Sequence, residues 1–251
     1  ANGNVSIHYR VVGNGPPLVM QHGFSDSSDS WDEFGYVAAL RERYRIVLPD
    51  LRGHGESDKP HDRAAYTAAH YAGDLAAVLD DAGISRTVYW GYSHGGWTGF
   101  AAARHIPECL KALIIGGASA SNASAFPRQP GEEDPLIAML KRPLSEALSL
   151  FGGALTLRGE RRFLGNDATA LIACRQERLA TEGYSDVVGQ IAVPTLIYAG
   201  SNDPIHDPAR QSAAEIRGAT FVSLPGLNHI DGIARMDLVL PHVRPFLDAC
   251  R

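Results

Sequence analysis

Cysteine is scarce in this chain of 251 residues: there are three, Cys109, Cys174 and Cys250, far apart and odd in number. That spacing suggests neither a disulfide framework nor a zinc site, and a reducing, cytoplasmic setting is the simplest reading. No charge of one sign dominates either. Lys and Arg total 23 against 28 Asp and Glu, a net charge of -5, so nothing points to nucleic acid or to an anionic membrane as a partner. No apolar run approaches the roughly 20 residues of a membrane span. The opening Ala1-Asn2-Gly3-Asn4 is not a signal peptide. Internal repeats and low-complexity segments are missing as well.

What is present fits a globular protein with a substantial core: 45% hydrophobic and 20% charged residues. The length allows one large α/β domain or two small ones. Val5 to Val12 alternates polar and apolar residues and, with the turn Gly13-Asn14-Gly15-Pro16, predicts an early antiparallel strand pair leading into Pro17 to Gln21. Trp31 to Arg43 predicts a helix, with Trp31, Phe34, Val37 and Leu40 on one face. A strand over Arg45 to Leu48, a helix over Tyr66 to Ala82, a strand over Arg86 to Trp90, a helix over Trp97 to His105 and a strand over Ala112 to Ile115 continue the alternation. Such an order signals a parallel sheet with helices on both faces.

The alternation then stops. Residues 118–186 hold four prolines and short helical pieces such as Leu136 to Lys141 and Ala168 to Glu182. The reading is an inserted helical cap, 118–186, between core segments 1–117 and 187–251. The pattern resumes with a strand over Val193 to Ala199, a helix over Pro208 to Ile216, a strand over Thr220 to Leu224 and a closing helix over Gly232 to Ala249, in which Pro241 and Pro245 should cause a kink or break.

In an open parallel sheet, ligands bind beyond the carboxyl ends of the strands. Those positions carry His22-Gly23-Phe24, Gly91-Tyr92-Ser93-His94-Gly95-Gly96, Gly200-Ser201-Asn202-Asp203 and Asn228-His229-Ile230-Asp231. The G-x-S-x-G stretch suits a sharp strand-to-helix turn with Ser93 at its apex, glycines at 91 and 95 leaving room for neighbouring backbone. Asp203, Asp207 and Asp231 compete as the acid. Asp207 before Pro208 and Asp231 before the closing helix look like helix caps, whereas Asp203 stands at a strand end. Gly116-Gly117-Ala118-Ser119 offers no acid after the preceding core strand. His22, His54 and Arg52 look structural, bracing their own loops. Asp74, Asp80 and Asp81 read as solvated helix surface.

With Asp50-Leu51-Arg52-Gly53-His54-Gly55-Glu56-Ser57 added, these stretches resemble the α/β-hydrolase superfamily over essentially the whole chain. The resemblance implies Ser93 as nucleophile, His229 as general base and Asp203 as its orienting acid, with the backbone N–H groups of Phe24 and His94 as oxyanion hole. No metal or organic cofactor is then called for. A serine at the elbow argues against haloalkane dehalogenase and epoxide hydrolase chemistry, and the loop after Gln21 lacks the patterns of proline iminopeptidases and carbon–carbon bond hydrolases. The remaining expectation is hydrolysis of a small-molecule carboxylic ester or lactone through an acyl-serine. Perhydrolysis, acyl transfer, carbon–carbon cleavage or a non-hydrolytic binding or lyase role of the same fold are the alternatives. The cap, with Phe126 and Met139 as candidate pocket residues, shows no basic cluster in its sequence, which favours a small to medium apolar substrate.

Overall fold

The computed structural model describes residues 4–122, 124, 131–151 and 153–251, with the backbone alone for residues 150 and 151. Among them, seven strands form one sheet in the order β1-β3-β2-β4-β5-β6-β7. These are β1 (Tyr9–Val12), β2 (Pro17–Gln21), β3 (Arg45–Pro49), β4 (Thr87–Tyr92), β5 (Leu110–Gly116), β6 (Thr195–Gly200) and β7 (Thr220–Leu224). Only the β1–β3 pair is antiparallel. The predicted antiparallel pairing of the first two strands is therefore corrected: β3 lies between them. The turn before β2 packs over the chain entering β3, where a Cβ on Gly13 would come within 2.2 Å of the Arg41 carbonyl oxygen.

Two-residue periodicity divides the strand side chains between two cores. Leu18, Met20, Val88, Trp90 and Ile114 face one layer; Val19, Tyr89, Leu113, Ile115 and Ile197 face the other. The first layer is covered by α1 (Ser30–Glu33), α2 (Tyr36–Leu40) and, at the end of the chain, α11 (Met236–Ala249); the second by α3 (Ala68–Asp81), α4 (His94–His105) and α9 (His206–Glu215). The single helix predicted over Trp31 to Arg43 is broken between α1 and α2 at Gly35, whose φ of 84° no helical residue adopts. Conversely, α11 runs unbroken through Pro241 and Pro245, held by the buried stripe Val239, Val243 and Leu247, while the short α10 (Asp231–Ala234) precedes it. Asp74 is not solvated: it is buried, and Arg52 grips its carboxylate through Nε and Nη2, both at 2.6 Å.

Between β5 and β6 lie α5 (Pro135–Leu140), α6 (Leu144–Ala147), α7 (Leu157–Leu164) and α8 (Ala168–Ala180). Side-chain caps start three of them: Asp134 accepts from the N–H groups of Leu136 and Ile137, Thr156 from Gly159 and Asp167 from Ala170. Leu136, Met139, Leu140, Ala147, Phe163 and Leu171 form their apolar cluster. Phe24 packs against both this cluster and the sheet core, so these helices rest on the loop that follows β2. Arg162 reinforces that seat by binding Asp26 at 2.6 Å and Glu33, while the Asn166 amide donates to the Ser25 carbonyl at 2.9 Å. No described helix is long and apolar enough to cross a membrane.

Candidate active site

Ser93 stands between β4 and α4, at the N-cap of the helix, with φ 53° and ψ -116°, a strained conformation for a residue with a side chain. The flanking glycines permit it. A Cβ on Gly91 would come within 2.0 Å of the Gly95 carbonyl oxygen, and one on Gly95 within 2.3 Å of the Gln21 carbonyl oxygen. The Ser93 N–H donates to the Gly116 carbonyl at 2.7 Å, fastening the turn to β5.

The Ser93 hydroxyl lies 2.8 Å from Nε2 of His229, and Nδ1 of His229 lies 2.7 Å from the buried Asp203 carboxylate. With Nδ1–H donating to the carboxylate, Nε2 is left as acceptor for the serine proton. Asp203 is held in turn by the Ile205 N–H at 3.0 Å. The competing acids are elsewhere: Asp207 sits in the first turn of α9 against His206 and Arg210, and Asp231 begins α10. Asp207 is thus not the cap residue its sequence context suggested; Ile205 occupies that position.

Gly23 packs against the serine: a Cβ there would meet the Ser93 Cβ at 3.3 Å. This brings Phe24 beside Ser93, while the His94 N–H heads α4 and has no intrahelical acceptor. His22 stabilises the loop from beneath. It accepts the Leu51 N–H at Nε2 (3.0 Å) and bonds the Gly23 carbonyl at Nδ1 (2.8 Å). The His94 ring is buried, stacks on Trp97 and bonds the Tyr71 hydroxyl at 3.1 Å. Burial, with His54 and two arginines nearby, holds it well below the usual imidazole range, so it is neutral.

Two cavities meet at Ser93 and His229. The larger, about 190 Å³, is mainly apolar and is lined by Phe34, Met139, Phe163 and Ile233 among others. Of the two candidate pocket residues, Met139 is on this wall and Phe126 falls outside the described residues. The smaller, about 60 Å³, is walled by Trp97, Ser119, Ser124, Arg175 and Arg178. This corrects the expectation of an inserted segment without a basic cluster: Arg175 and Arg178, three residues apart on α8, are both buried. Sequence reasoning also missed Tyr92, whose hydroxyl donates to the His229 carbonyl.

A family model described as alpha/beta hydrolase fold matches residues 16–139. The enol-lactonase from Burkholderia xenovorans LB400 superposes with a TM-score of 0.83 over 98% of both chains, at 24% identity. The chain belongs to the α/β-hydrolase superfamily. Within it, a non-heme haloperoxidase from Rhodococcus erythropolis is 26% identical over 99% of this chain and 98% of its own length. Epoxide hydrolase 3 from Siraitia grosvenorii is 34% identical over 111 residues, 44% of this chain and 34% of its own. This α/β-hydrolase therefore spans about a third of the length of that relative, and the aligned part is too short to contain all of Ser93, Asp203 and His229.

Proposed function

We propose that this protein is a serine hydrolase that cleaves small to medium carboxylic esters or lactones through an acyl-serine intermediate. The hydrogen-bonded series from Ser93 through His229 to Asp203 carries the reading. A serine hydroxyl is a poor nucleophile at neutral pH unless a base takes its proton as it attacks. His229 Nε2 is within reach to do so and to return the proton to the departing alkoxide. Asp203 favours the tautomer that accepts at Nε2 and stabilises the imidazolium that forms. The developing oxyanion would be met by the N–H groups of Phe24 and His94, the latter at the positive end of α4. Water activated by His229 then releases the acid.

The similarity to a non-heme haloperoxidase favours one second reading, in which hydrogen peroxide replaces water in the deacylation step. Both readings share the acyl-enzyme, so one assay addresses them first. Release of p-nitrophenol from p-nitrophenyl acetate and butyrate should be rapid, and Ser93→Ala should lower it by about 10³-fold or more. Equal inertness of both proteins would overturn hydrolysis of simple esters and leave a binding or lyase role. Peracid formation from the same esters with added peroxide separates the two readings.

A further inference from the structure

Among the described residues, three other than glycine hold a positive φ: Asn4, Ser25 and Ser93. Ser93 is the apex of the elbow. Ser25, at φ 58°, stands in the loop after β2, one residue beyond Phe24. Backbone sterics disfavour that region for a serine, so the surrounding structure must hold it there. The group that does so is Asn166, just past the end of α7. Its side-chain amide donates to the Ser25 carbonyl at 2.9 Å and to the carbonyls of Arg162 and Phe163 at 3.0 and 3.1 Å. Three carbonyl oxygens around one side-chain atom assign that atom as the nitrogen. Asn166 thus bridges the end of α7 to the loop, beside the Arg162 pair with Asp26 at 2.6 Å.

The same loop is held from its other end. The Leu51 N–H donates to Nε2 of His22, which assigns the ring proton to Nδ1, and Nδ1 donates to the Gly23 carbonyl at 2.8 Å. That carbonyl shares a planar trans peptide with the Phe24 N–H, so fixing one aims the other in the opposite direction. Between the peptide fixed by His22 and the carbonyl fixed by Asn166, only the φ and ψ angles of Phe24 and Ser25 remain. Freed from Asn166, Ser25 would relax toward negative φ, and the Phe24–Ser25 peptide would turn with it.

We propose that Asn166 is a positioning residue for the reaction: by holding Ser25 in the left-handed region, it keeps the Phe24 N–H beside Ser93 and so completes the oxyanion hole. The proposal rests on the serine-hydrolase reading, with Phe24 as one of the two oxyanion donors. Gly159, Arg162 and Phe163 of α7 wall the larger cavity. The wall that receives an apolar substrate arm and the donor that meets the developing charge are thereby tied to one helix.

The test compares kinetics on p-nitrophenyl butyrate with exchange of the loop amides. Asn166→Ala should lower kcat by about 10- to 100-fold, short of the loss of a whole oxyanion donor, with KM little changed. Asn166→Asp keeps the shape but turns an acceptor toward three carbonyl oxygens, so its kcat should fall at least as far. Glycine adopts positive φ freely. In a Ser25→Gly background the loss caused by Asn166→Ala should therefore shrink by about threefold or more, a rescue that a packing role for Asn166 would not produce. Amide hydrogen exchange in peptides spanning residues 22–28 should be faster in Asn166→Ala than in the native chain. An unchanged kcat, or a loss of equal size with serine and with glycine at position 25, overturns the proposal and leaves the hydrolase reading intact. Esters untouched by the native chain, with faster exchange in Asn166→Ala, would overturn that reading and keep the clamp on the loop. Esters untouched and exchange unchanged would overturn both.

Discussion

The Tyr92 hydroxyl donates a hydrogen bond to the backbone carbonyl of His229, 137 residues away in the chain. It ties the strand that delivers the serine to the loop that delivers the imidazole. The ring is buried, and a Cβ on Gly232 would come within 2.4 Å of the hydroxyl oxygen, so the small residue there makes room for the contact. Tyr92→Phe keeps the packing and removes only the tether. Steady-state kinetics should show kcat reduced by about 3- to 10-fold, as expected for loss of one hydrogen bond's worth of positioning, with little change in KM. An unchanged kcat would mean that the His229 loop holds its place unaided.

Asp203 should act through the tautomer of His229. Asp203→Asn preserves shape but presents an amide donor to Nδ1 and drives the proton to Nε2, where it opposes the serine hydroxyl. A fall in kcat of about 10³- to 10⁴-fold is expected, with a normal circular dichroism spectrum. Activity within tenfold of the native value would show that another carboxylate supports the base.

Two buried histidines should set the acid limit of stability. Burial, with the neighbouring His22, lowers His54 to about 3, and burial likewise holds His94 well below its ordinary value. Both remain neutral in the folded chain while the unfolded chain takes up protons below pH about 6.5. The unfolded state then binds more protons, so folding free energy is full above pH 6.5 and declines as pH falls from there toward 3. Each group contributes a slope of up to about 1.4 kcal/mol per pH unit over its window. Urea unfolding at pH 7.5, 6.0 and 5.0 should show this decline, and His54→Asn should flatten it. A pH-independent midpoint would contradict the assignment of these rings as neutral.

Much of the architecture is legible in the sequence because strand interiors and strand ends have local signatures. Pro17 to Gln21 and Ala112 to Ile115 are largely apolar runs, the second closed directly by Gly116, and the elbow declares itself through Gly91 and Gly95, whose missing side chains the turn requires. The tertiary partners are not legible. Arg52 and Asp74 are 22 residues apart, and nothing near Asp74 marks it as buried. Charged residues are solvated by default, so Arg175 and Arg178 read as ordinary helix surface until α8 is packed over the elbow. The break at Gly35 does carry a local signal, a glycine inside the helical pattern, whereas the continuity of α11 through its prolines is decided by the packing of its buried stripe, which propensity alone does not contain.

Ser93 and His229 hang from parts of the sheet with unequal protection. Ser93 follows β4, fully buried between β2 and β5; His229 follows β7, an edge strand of which only Leu224 is buried. Strand edges open more readily than sheet interiors. On warming, β7 should loosen before the sheet interior and carry the imidazole out of register while the central strands stay paired. Loss of turnover should therefore precede the global melting transition in a parallel temperature ramp of rate and circular dichroism. The temperature ceiling of activity would then be written in one thinly covered edge strand rather than in the core.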